Sequence, residues 1–157
     1  MLRRKNYNLT IGAGGARPFP LASLAGSQRM KLQPDRIEGV NAVTGIAPGH
    51  LRVNGRPHTS SIVLPWKGEV RAWDCAAFAA LRAEHFEQLL ALAPELVIFG
   101  SGERIRFVSP VLLRPLIERG IGVETMDTAA ACRTYNVLAS EGRSVVAALL
   151  METAAAS

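Results

Sequence analysis

Two cysteines in 157 residues, Cys75 and Cys132, are too few and too far apart for a disulfide framework, a zinc site or a redox motif. They fit a reducing, cytoplasmic setting better than an oxidising one. Long apolar runs are missing too. The longest candidate, Val145 to Met151, is strand-length and far short of the ~20 residues of a membrane-spanning helix. No transmembrane segment is expected. The three histidines, His50, His58 and His85, show no i, i+4 pair and no Cys/His cluster, so no metal site is indicated. Gly100-x-Gly102 lacks the third glycine and the following helix of a dinucleotide fingerprint, and nothing resembles a P-loop. No cofactor is expected.

Acids are absent from the first 34 residues, and that absence locates the net charge of +5. Six of the 18 basic residues (Arg3, Arg4, Lys5, Arg17, Arg29 and Lys31) precede Asp35, leaving 12 basic against 13 acidic residues after it. The excess belongs to the N-terminal segment. A basic stripe on the folded part is not supported, and no nucleic-acid partner is expected. With 48% hydrophobic and 20% charged residues, the remainder has the composition of a globular chain, long enough to bury a core.

Residues 1–33 combine Arg3-Arg4-Lys5 with a stretch rich in Gly, Ala, Pro and Ser, which reads as a flexible basic arm. A start-site artefact, an organelle-type targeting peptide and a secretory signal are the other readings. The α/β domain is placed at 34–151 and a disordered tail at 152–157. From Ile37 strands begin. Asn41–Ile46 and Gly49–Arg56 read as two short strands with turns at Pro48-Gly49 and Asn54-Gly55, the latter a strong hairpin signal. Ser60–Leu64 reads as a third strand and Glu69–Trp73 as a fourth, together an antiparallel meander.

Then the pattern changes. Glu84 to Leu92 predicts a short amphipathic helix with Phe86, Leu89, Leu90 and Ala93 inward, closed by Pro94. Leu96-Val97-Ile98-Phe99, stopped by Gly100-Ser101-Gly102, predicts a strand buried on both faces. Ser109-Pro110 opens a helix that Gly120 stops, with Pro115 expected to kink it or delay its start. Ile121 to Met126 is a strand, Thr128 to Glu141 a helix and Val145 to Leu150 the last strand. Such alternation implies parallel β-α-β units. The fold class is α/β, a single domain with helices on the sheet and an N-terminal antiparallel β meander.

Ligands of such sheets bind beyond the carboxyl ends of the strands. The candidate binding residues are therefore Gly100, Ser101, Gly102, Asp127, Thr128, Cys132, Arg133 and Asn136, beside two strand ends and the helix after the second. Asp127 and Thr128 are both good N-caps, and Asp127 discourages an anion there. Thr128, Cys132 and Asn136, spaced by four, are expected on one polar stripe, with Ala131, Tyr135 and Leu138 on a more apolar one. Early placement in a helix and neighbouring Arg133 would lower the Cys132 thiol pKa; a small buried cysteine is the commoner role. Asp127, Arg133 and Glu141 offer a polar cluster around the helix. No catalytic set is recognisable.

On these residues the chain resembles the small α/β family labelled domain of unknown function 498, from about Gln33 to Leu150. The specific part is Met126-Asp127-Thr128-Ala129-Ala130-Ala131-Cys132-Arg133-Thr134-Tyr135-Asn136-Val137-Leu138, with Glu141-Gly142-Arg143 and Val146-Ala147-Ala148-Leu149-Leu150. Phe99-Gly100-Ser101-Gly102, Val53-Asn54-Gly55 and Ser61 to Pro65 agree with it. The resemblance implies a three-layer fold around a mixed central sheet. It also implies kinship with a mitochondrial member that helps to assemble membrane-bound respiratory complex I without known catalysis. No catalytic role transfers to any position.

Two functions follow as expectations. One is a non-catalytic protein-interaction or assembly factor, whose partner is another protein or a membrane-complex subunit. The other is a small-molecule-binding protein or enzyme using a crevice between Gly100–Arg104 and Asp127–Asn136. The location is cytoplasmic, with an organelle or the membrane periphery as alternatives.

Overall fold

The computed structural model describes residues 38–152. The arm at 1–33, the expected strand start at Ile37 and residues 153–157 of the tail lie outside the described residues. Among the described residues the elements are β1 (Val43–Ala47), β2 (His50–Val53), β3 (Arg56–His58), β4 (Ile62–Pro65), β5 (Arg71–Ala72), α1 (Ala83–Glu87), β6 (Leu96–Gly100), α2 (Pro110–Ile117), β7 (Gly122–Met126), α3 (Thr128–Ser140) and β8 (Val145–Leu149).

β1, β2 and β3 form an antiparallel three-stranded sheet. The central sheet has the order β5-β4-β8-β6-β7. β6 is parallel to both β7 and β8, while β4 is antiparallel to β8 and β5, so the sheet is mixed. β6-α2-β7 and β7-α3-β8 are the two parallel crossover units.

The meander is shorter than its expected four strands. Asn54 and Gly55 both have positive φ, 51° and 85°, the turn that sends the chain back as β3. Pro57 in β3 is tolerated because β3 is an edge strand, and it is also why the sequence pattern hides this strand. β4 then leaves the meander. All four of its residues are buried, so it needs cover on both faces, which the central sheet provides.

Alternate residues of the central strands feed two cores. Ile62, Leu64, Ile98, Val145, Ala147 and Leu149 meet α3 through Ala131, Cys132, Tyr135 and Ala139, and β1 and β2 through Val43, Leu51 and Val53. Val63, Val97, Phe99, Val146, Ala148 and Leu150 face the opposite way, toward Phe86, Leu89 and Leu116. There Trp73, Phe86 and Phe99 pack edge to face, with centroids 5.6–6.1 Å apart. Phe78 packs against the same layer, its ring centroid 6.4 Å from that of Phe99.

Three helical details differ from expectation. The segment after Arg82 is not one helix: α1 ends at Glu87 and a 3₁₀ segment runs from Gln88 to Leu92. Phe86 and Leu89 are buried, Leu90 is half-buried, and Ala93 is exposed with a left-handed φ of 46°. Pro94 disfavours the helical conformation at the residue before it, so Ala93 turns outward instead of packing. Pro115 does not delay α2, which starts at Pro110. The carbonyl that loses its partner is that of exposed Val111, within reach of water. Ser109 precedes the helix without a side-chain capping bond. Gly120, at φ 69°, closes α2: its N–H donates to Ile117 O and that of Ile121 to Leu116 O, both at 3.0 Å.

Candidate functional site

The three parallel strands end level with one another, Gly100 lying beside both Met126 and Leu149. The chain leaving each is tied to the next. Ser101 N–H donates to Met126 O (2.8 Å), Leu150 N–H to Gly100 O (2.9 Å) and Thr128 N–H to Gly102 O (2.8 Å). Thr128 Oγ1 accepts from Gly102 N–H at 2.9 Å and donates to Leu150 O at 2.8 Å, joining all three exits. Asp127 caps α3 by accepting from Ala130 N–H at 2.8 Å.

Beside these exits lies a cleft of ≈ 350 Å³. Gly102, Glu103, Asp127, Thr128 and Ala129 form one wall, Leu150, Met151 and Glu152 another, and the β1–β2 turn from Ile46 to Leu51 the third. The sequence had no local signal for the turn's part in it. Of the candidate residues, Gly102, Asp127 and Thr128 line this cleft. Gly100 and Ser101 are buried beneath it. Ser101 Oγ donates to Arg104 O (2.8 Å) and accepts from Arg106 N–H (2.8 Å).

Arg106 and Glu152 were not candidates and belong to the same corner. The Arg106 guanidinium donates to Ser101 O (2.6 Å) and Glu152 Oε1 (2.8 Å) and lies 4.5 Å over the Phe78 ring. Burial alone would raise the Glu152 carboxyl. The bond from Phe78 N–H and the Arg106 charge outweigh it and hold the carboxyl below its ordinary value. Glu152, read as the first residue of the tail, is thus held by the fold. No single residue in the sequence announces this pair, because its members are 46 positions apart.

The expected polar stripe on α3 divides. Cys132 is buried in the core with Ala131 and Tyr135. Burial pushes its thiol up to about 12, outweighing the lowering effect of Arg133. Arg133 itself is exposed. Asn136 is half-buried and engaged with the fold: its Oδ1 accepts from Val43 N–H and its Nδ2 donates to Val43 O, both at 2.8 Å. The side-chain amide stands in for a neighbouring strand and fastens β1 to α3. The Tyr135 hydroxyl lies 3.0 Å from the carbonyl oxygens of both Asn41 and Pro65, on the same seam. Asp127, Arg133 and Glu141 form no ion pair with one another; the ion pairs among the described residues are Arg106–Glu152 and Arg143–Glu95. No group of three or more His, Cys, Asp or Glu side chains among the described residues is placed to hold a metal.

The raised thiol has a pH consequence. Folded Cys132 keeps its proton to a higher pH than unfolded Cys132, so its contribution is intact below its ordinary value of 9.0 and is lost as pH rises toward about 12. Melting temperatures are expected to decline above about pH 9, and less so for Cys132→Ala relative to its own neutral value. Native Cys132 should also resist iodoacetamide at mildly alkaline pH and react once denatured. Rapid alkylation of the folded chain at Cys132 would contradict this placement.

The site therefore defines an α/β domain with a mixed sheet, helices on both faces, and a cleft where its parallel strands end. The chain belongs to the family described as protein of unknown function (DUF498/DUF598), whose pattern matches residues 43–150. It is 39% identical over 80 residues to the NADH dehydrogenase [ubiquinone] 1 alpha subcomplex assembly factor 3 of Bos taurus, covering 50% of this chain and 44% of that protein. The chain thus spans under half the length of that relative. It is 37% identical over 118 residues to an uncharacterised Rhodobacter capsulatus protein, covering 71% of this chain and 86% of the other. A crystal structure of a Bordetella parapertussis protein superposes with a TM-score of 0.70 at 40% identity, over 73% of this chain and 98% of that one. No helix among the described residues is long and apolar enough to cross a membrane.

Proposed function

We propose that this chain is a non-catalytic protein-interaction factor that helps a membrane-bound respiratory complex to assemble. One observation carries the reading. Ser101 and Thr128 at the strand exits, and Asn136 on the β1 seam, are engaged with backbone groups of the fold itself. They hold a shape and are not arranged around a reacting atom. Kinship with a protein named as an assembly factor of NADH dehydrogenase supports the choice of complex. Nucleophilic catalysis by Cys132 would need an activated thiolate beside a base, and burial holds this thiol protonated instead. The reading is compatible with a cytoplasmic or an organelle location.

The test is deletion of the gene in a host that makes a respiratory NADH dehydrogenase. Native gels should show several-fold less assembled complex, with its subunits held in smaller subassemblies, and a plasmid copy should restore it. Unchanged assembly in the deletion strain would end this reading.

A further inference from the structure

The corner that Arg106 builds also turns apolar side chains outward. Ser101, Arg106 and Glu152 hold the start of the segment after β6, and Val108 is buried in the core beneath α2. Arg106 points in, so Ile105 and Phe107, the residues on either side of it, point out. They are 51% and 75% exposed. Helix α2 continues the theme. Leu112, Leu113 and Leu116 pack inward, while Val111, Arg114 and Ile117, three residues apart, share the outer face. Val111 is 61% exposed and Ile117 55%. The outer face of a helix on a globular protein is ordinarily polar, and here two apolar side chains flank the one arginine.

The charges beside the ridge choose its occupant. Arg104, Arg114 and Arg119 are exposed. Glu103 and Glu118 are the exposed acids from Glu103 to Arg119, against these three exposed arginines. A second copy is disfavoured, since antiparallel pairing about the middle of α2 sets Arg114 against its own counterpart. A Phe side chain this exposed stands out from the surface as a ridge and does not line a groove, so the ridge is shaped to enter an apolar medium.

We propose that this ridge seats the protein on an anionic lipid bilayer. Ile105, Phe107, Val111 and Ile117 enter the interfacial layer, and the arginines lie at the level of the phosphates, their stems along the apolar surface and their guanidinium groups on phosphate oxygens. α1 packs against α2 and carries exposed Glu84 and Glu87, so apolar insertion supplies most of the binding and anionic headgroups adjust it. The inference is independent of the assembly reading: a factor can assist assembly without touching lipid, and lipid binding says nothing about assembly.

The experiment is sedimentation of the full chain with vesicles of phosphatidylcholine alone and with about one-third phosphatidylglycerol added. Binding should be about tenfold tighter to the mixed vesicles. Phe107→Asp, at an exposed site that spares the core, should weaken binding to them about tenfold or more. Arg114→Glu should weaken binding to the mixed vesicles while leaving weak binding to phosphatidylcholine alone. Three outcomes overturn the proposal: no binding to either vesicle, binding unaltered by Phe107→Asp, or an oligomer that Phe107→Asp dissociates without any vesicle binding. The last would identify the ridge as a protein interface.

Discussion

Asn136→Ala is expected to destabilise the protein by about 2–4 kcal/mol, because it strands both backbone groups of Val43 in a partly buried seam. For a domain of this size that is roughly a 10 °C fall in melting temperature. The loss should be local before it is global. Hydrogen exchange at Val43 should accelerate well before exchange in β6 and β8, since β1 would come away from α3 while the central sheet persists. Asn136→Asp should not rescue it. A carboxylate can accept from Val43 N–H, yet it has no donor for Val43 O and sets negative charge against that carbonyl. A variant with wild-type melting temperature and exchange would show that the hydrophobic contacts of Val43, Leu51 and Val53 hold the meander unaided. The same reasoning removes Asn136 from any list of surface probes: a lost partner in this variant would report unfolding of the seam, whereas Arg133→Ala alters an exposed side chain.

How α3 is used explains why its surface was hard to read. Residues four apart do not stay in line on an α-helix; each step of four drifts by about 40°, so Thr128 and Asn136 differ by about 80° around the axis. Cys132 lies between them, and that middle direction points into the sheet. Thr128 serves the strand exits on one side of it and Asn136 serves β1 on the other. Spacing alone made them one stripe; the sheet and the meander divide them between two tasks. Tyr135 falls on the more apolar stripe, yet its hydroxyl meets carbonyls from segments 94 and 70 residues away in sequence.

The crossover half of the fold was legible because its signals are local. Leu96 to Phe99 is an apolar run stopped by glycine, Asp127 is an oxygen cap, and Gly120 adopts the left-handed turn that a helix end favours. The destination of β4 was not legible. Its partner β8 lies some 80 residues downstream, and nothing in Ile62 to Pro65 says which sheet will cover both its faces. The candidate site divides the same way. Gly102, Asp127 and Thr128 meet because parallel strands must end together, a rule of topology. The β1–β2 turn, Arg106 and Glu152 join them through tertiary packing that no spacing encodes.

Gly100→Ala should be strongly destabilising although it adds only one methyl group. The added Cβ would stand 3.0 Å from the Thr128 Cα, 3.1 Å from the Ala131 Cβ and 3.1 Å from Leu149 Cδ2. Leu149 can turn aside, but the Thr128 contact is with backbone at the first turn of α3. Relief requires moving the helix start away from β6, and that motion pulls on the Thr128 bonds to Gly102 and Leu150. Overpacking of this kind costs about 1–3 kcal/mol, and an immovable neighbour puts this site near the upper end. The backbone conformation is not the obstacle, since Gly100 is not among the residues with positive φ. Close approach of α3 is the reason for glycine here. Thermal unfolding of Gly100→Ala beside Gly45→Ala separates the two ideas, because a Cβ at Gly45 meets nothing closer than 3.8 Å. Gly45→Ala should stay near wild type while Gly100→Ala melts far earlier. Equal melting temperatures for the two would mean that α3 can shift freely, and the lacing of the three strand exits would not be the rigid feature described above.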